Sequence, residues 1–65
     1  MSYSIVAEHR LGETVKTTGL AIIFDADLAA EFARWRSDTC PALTYSVVNM
    51  NTLQTLGRYR QGVRI

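Results

Sequence analysis

Cysteine, histidine, proline and tryptophan each occur once in the 65-residue sequence, and the scarcity of the first two removes whole classes of stabilisation and chemistry. A lone Cys40 cannot close an internal disulfide, and a lone His9 leaves no cluster of nitrogen and sulfur ligands for a structural metal. Long apolar runs are missing too. The longest apolar-rich stretch, Leu20 to Phe24, falls far short of the roughly 20 residues that span a bilayer. Met1 to Ser4 carry neither the basic region nor the apolar stretch of a secretory signal, so the sequence suggests the cytoplasm and no membrane contact. No P-loop, Gly-x-Gly-x-x-Gly pattern, zinc-ligand spacing or nucleophile elbow is present. No cofactor is called for, and the sequence points away from an enzyme.

What remains is ordinary for a folded protein: 48% hydrophobic and 20% charged residues, with a formal net charge of +1. A chain of this size buries only about 60% of the surface its unfolded form exposes, so it supports a single domain, residues 1–65, with one core. Stability must come from packing, within the chain or shared with a second copy. The charge is unevenly placed. Residues 1–38 hold all the acids (Glu8, Glu13, Asp25, Asp27, Glu31, Asp38) with Arg10, Lys16, Arg34 and Arg36, while residues 39–65 hold only Arg58, Arg60 and Arg64.

Hydrophobic periodicity gives an α+β reading. Tyr3, Ile5 and Ala7 alternate with Ser4, Val6 and Glu8, Gly12 offers a turn, and Thr14 to Thr18 resume strand-type composition, which together predict an N-terminal β-hairpin. The second strand continues to Phe24, with Leu20, Ile22 and Phe24 expected on the core face and Gly19 suited to a bulge. Asp25 is placed to cap a helix ending near Ser37 or Asp38, before Pro41. Leu28, Phe32 and Trp35 are expected to form its core-facing stripe, and Glu31 to pair with Arg34 three residues on.

Leu43, Tyr45 and Val47 alternate as a third strand. Asn51 to Gln54 resembles a capping box for a short helix ended by Gly57, and Tyr59 to Ile65 alternates as a fourth strand. The expected fold is β-β-α-β with that short helix and fourth strand: a three- to four-stranded sheet with the amphipathic helix on one face. The helical connection is long enough for the second and third strands to run parallel. Val6, Ala21, Ile23 and Val48 then fall on the sheet face away from the core, which suggests self-association.

Candidate chemistry is sparse. His9 beside Glu8 and Arg10 has no nucleophile to activate and reads as a surface histidine. Cys40 lies at a helix C-terminus, where the dipole disfavours a thiolate. Asp27 and Glu31 are too few oxygen ligands for a divalent ion and read as a first-turn helix charge and as the partner of Arg34. Arg58, Tyr59, Arg60 and Arg64 form the one constellation that suggests a ligand: arginines on one strand face could track phosphates, with Tyr59 stacking on a base. A solvated or edge-protecting basic face explains the same residues. The leading expectation is a small non-enzymatic binding or accessory protein acting through contact with another protein or with itself as a homodimer. The alternative is a small nucleic-acid-binding protein using the arginine strand.

Overall fold

In a computed structural model describing residues 1–65, the N-terminal alternation produces strand β1, Tyr3–Leu11, and the composition after Gly12 produces β2, Thr14–Ile23. Leu11 pairs with Thr14 across the two-residue Gly12-Glu13 turn. Gly12 takes φ 64 at the first central position, the conformation a type II′ hairpin turn requires. β1 also pairs antiparallel with β3, Thr44–Asn49, and β3 with β4, Thr55–Arg60, which turns back into β5, Val63–Arg64. The result is a five-stranded antiparallel sheet in the order β2-β1-β3-β4-β5. β2 and β3 do run in the same direction, as the helical connection allows, but they are not neighbours: β1 lies between them, antiparallel to both.

The sheet face assigned to the second half of β2 is reversed. Ile5 pairs with Ala21 and Val6 with Gly19, which leaves Leu20 as an unopposed bulge residue. One extra residue inverts the alternation beyond it. Ala21 and Ile23 therefore pack against the core, whereas Ile22 is 57% and Phe24 78% exposed.

Helix α1, Ala26–Thr39, starts as its sequence predicts: the Asp25 carboxylate accepts hydrogen bonds from the backbone N–H groups of Asp27 (2.9 Å) and Leu28 (3.1 Å). Its rotation about its own axis differs from the expectation. The buried stripe is Ala29, Ala33 and Ser37, and Leu28 and Trp35 are 57% and 58% exposed. The reason is volume. The sheet supplies its own bulk on this side through Tyr3, Ile5, Tyr45, Val47 and Tyr59, so close packing is met by small residues on the helix. The helix lies chiefly over β3 and β4 and least over β2.

No short helix forms between residues 51 and 57. Asn49, rather than Asn51, organises this turn: its Oδ1 accepts from the N–H groups of Asn51 (2.8 Å) and Thr52 (3.3 Å), and its carbonyl accepts from Leu53 N (2.7 Å). Leu53 closes the single turn at φ 60, and Gly57 lies inside β4. The predicted fourth strand is interrupted likewise. Gln61 (φ 55) and Gly62 (φ 79) make a two-residue hairpin turn with positive φ at both central positions, the type I′ pattern. That turn is fastened to the helix: Gly62 N donates to Ser37 Oγ (3.0 Å), Ser37 Oγ donates to the Arg34 carbonyl (2.7 Å), and Arg34 Nε donates to the Gly62 carbonyl (3.1 Å). Arg34 is thus engaged with the turn and forms no ion pair with Glu31.

Candidate functional site

The turn at Gln61-Gly62 redistributes the arginine constellation. Tyr59 pairs with Arg64 and Arg60 with Val63, so Arg64 shares the helix side of the sheet with Tyr59, while Arg58 and Arg60 face the opposite, open side. A regular strand would have put Arg58, Arg60 and Arg64 on one face; the two-residue turn changes the parity. Arg64 Nη2 donates to the Leu56 carbonyl (3.1 Å). Tyr59 belongs to the buried core, so its ring is not offered to a base.

Sheet order brings a different arginine into the group. Arg10 of β1, Thr44 of β3, and Arg58 and Arg60 of β4 line a shallow cleft of about 340 Å³ on the open face, together with Glu8. Arg58 Nη2 lies 2.7 Å from Glu8 Oε2, a pair that reaches across β3. Ser46, which is opposite both Val6 and Arg58 in register, is buried on this face with its hydroxyl unpartnered. The Arg58–Glu8 pair is half-exposed, so solvent screens it to about 0–1 kcal/mol. It nonetheless neutralises one of the cleft's arginines.

The other candidates are dispersed. His9 is exposed on the part of the β1–β2 hairpin that projects beyond the last β1–β3 pair, Glu8 with Thr44. Cys40 is half-buried at the C-cap of α1 and packs against the core. Asp27 and Glu31 are exposed on the helix. Tyr45 is fully buried, and its hydroxyl lacks a hydrogen-bond partner. Burial pushes its pKa above the usual 10.0; the neighbouring Cys40 thiol adds to the rise and Arg36 opposes it.

A further surface was read from sequence as core. Leu28, Phe32 and Trp35 form an apolar ridge on α1, with Phe24 exposed just before the helix. The Phe32 and Trp35 rings meet at 5.9 Å between centroids, tilted by 59°. The Arg36 guanidinium lies 5.9 Å from the Trp35 ring centroid, within cation–π range. Phe32 is half-buried against the core and anchors the ridge. The sequence signal that marks this arrangement is the small-residue stripe Ala29, Ala33 and Ser37 at four-residue spacing, which competes with the large-residue stripe for the sheet.

Compared with known proteins, the chain matches no family model, and neither a curated protein nor a solved structure matches it significantly. No helix is long and apolar enough to cross a membrane.

Proposed function

We propose that the protein is a non-enzymatic binding module that docks the Leu28–Phe32–Trp35 ridge of α1 on a protein partner. The observation that carries this reading is the outward placement of the chain's only tryptophan together with Leu28, both more than half exposed on a helix whose buried stripe is already filled by Ala29, Ala33 and Ser37. Tryptophan is the residue most enriched at binding hot spots, and residues spaced three and four apart on a helix are the anchors that helix-in-groove recognition uses. Asp27 and Glu31 are exposed on the same helix and Arg36 lies against Trp35, so the fitting partner presents an apolar groove with a rim of mixed charge.

Two variants test the reading. If the ridge is a docking surface, Trp35→Ala costs less than about 1 kcal/mol of folding stability, against the roughly 3–5 kcal/mol expected for a core tryptophan. Leu28→Asp then abolishes recovery of the partner from cells while leaving the circular dichroism spectrum unchanged. A large loss of stability in Trp35→Ala, or equal recovery with both proteins, overturns it.

A second reading, contact with nucleic acid, is favoured by one observation: Arg10 joins Arg58 and Arg60 around the open-face cleft. It predicts affinity that falls steeply with salt and weakens in Arg60→Ala. The burial of Tyr59 and the pairing of Arg58 with Glu8 leave it less support than the ridge has.

A further inference from the structure

The two edges of the sheet are treated differently. β5 is a two-residue strand fastened to α1 through Gly62 and Ser37, so little of it is offered to another chain. β2 is ten residues long, contains no proline, and carries Lys16 as its only charged side chain. Every one of its residues is exposed except the half-buried Ala21 and Ile23, and the outward side of its backbone has no strand beside it. Natural sheet proteins blunt such edges with charge, proline or a covering element. The bulge at Leu20 is the one blunting device here, and it turns Ile22 outward on the same strand.

We infer that β2 pairs edge to edge with β2 of a second copy, antiparallel about a twofold axis, so that one sheet runs through both molecules. The register follows from the bulge. Before it, Lys16 and Thr18 share the helix side of the sheet; after it, Ala21 and Ile23 do. Residues directly opposite each other across an antiparallel pair share a face, so even-numbered residues of one copy's first half must meet odd-numbered residues of the other's second half. An axis between Leu20 and Ala21 satisfies this condition. It also brings Lys16 toward the second copy's Asp25, two residues past the end of β2, whose capping carboxylate supplies an opposite charge that favours this register. The same register places Ile22 over the second copy's Gly19, where a side chain at the glycine would meet nothing within 4 Å. An isologous contact of this kind closes on itself, and the short fastened β5 edge prevents growth into a filament.

The inference is independent of what the helix ridge binds. Its test is the solution mass by sedimentation over a concentration series up to millimolar, for the native chain, Ile22→Lys and Leu28→Asp. The expected result is twice 7.3 kDa for the native chain and Leu28→Asp, and 7.3 kDa for Ile22→Lys with an unchanged circular dichroism spectrum. As a readout on the unmodified protein, amide hydrogen exchange in residues 17–23 should slow as concentration rises. A native chain that is monomeric throughout overturns the edge pairing and leaves the ridge reading untouched. A dimer that survives Ile22→Lys but is lost in Leu28→Asp also overturns it, and places self-association on the ridge instead.

Discussion

Replacing Ser37 by alanine probes how the β4–β5 turn is held, because its hydroxyl accepts from the turn and donates back to the helix, beside the separate Arg34 Nε bond to the Gly62 carbonyl. Ser37 is fully buried on α1; its Oγ donates to the Arg34 carbonyl at 2.7 Å and accepts from Gly62 N at 3.0 Å. Each hydrogen bond is worth about 1 kcal/mol net, and Ser37→Ala also leaves the Gly62 N–H facing a methyl group, which adds the cost of an unpaired donor. The expected loss is about 1.5–3 kcal/mol. For a domain this small, with total stability of roughly 3–10 kcal/mol, that is a large share. Urea unfolding should show a lower midpoint with an unchanged slope, and the Gly62 amide should exchange faster than its neighbours in β4. Thr39→Ala is the control. Thr39 Oγ1 bonds the Trp35 carbonyl at 3.0 Å on the exposed side of the same helix and holds nothing else, so its loss should stay within about 0.5 kcal/mol. Equal effects of the two substitutions, or a loss below about 0.5 kcal/mol in Ser37→Ala, would refute the idea that the turn is fastened through this hydroxyl.

Tyr45→Phe removes a buried hydroxyl that has no hydrogen-bond partner and should raise stability by about 1 kcal/mol in the same urea assay. It should also change the alkaline limb. The raised tyrosine pKa means the fold favours the neutral phenol, so this contribution is complete below the ordinary value of 10.0 and is lost as pH rises through the folded value. Stability of the native chain should therefore fall above pH 10.0, and Tyr45→Phe should flatten that fall. At the β3–β4 turn, Leu53 is exposed at φ 60, a conformation that costs a branched side chain about 1–2 kcal/mol. Leu53→Asn keeps the turn with a residue that tolerates it and should raise the thermal midpoint by about 2–8 °C, whereas Leu53→Val should lower it.

Legibility in the sequence follows the range of the interactions. Asp25 and Pro41 bound the helix through contacts within a turn or with the adjacent residue, and both ends of α1 could be read directly. The alternation of Tyr3, Ile5 and Ala7, and of Tyr45 and Val47, also reports the true core face, since those strands are regular. Periodicity fails where a bulge or a tight turn changes the count. Leu20 inverts β2, and Gln61-Gly62 inverts the end of the chain, so Ile22 and Arg64 each lie on the side opposite to the one their spacing implies. The helix stripe fails for a different reason. Either the large or the small stripe could face a sheet, and the choice depends on tyrosines supplied by β3 and β4. The cleft needs more still: Arg10 meets Arg58 and Arg60 only because β1 and β4 flank β3, a pairing that no local pattern encodes.

The bulge and the small-residue stripe have one consequence in common. Each turns large apolar side chains toward solvent: Ile22 on the open face of the edge strand and Phe24 just after it, and Leu28 and Trp35 on α1. Antiparallel edge pairing about an axis perpendicular to the sheet keeps the helix side of one copy on the helix side of the other. Both ridges then lie on one face of the shared sheet. A partner offering two grooves at matching separation meets the second ridge as an intramolecular event, so the dimer strengthens binding without any new contact at either ridge. Edge pairing and ridge docking use separate residues, and if both proposals hold the geometry couples them: the strand edge would set how many ridges face a partner, and the helix what each ridge recognises.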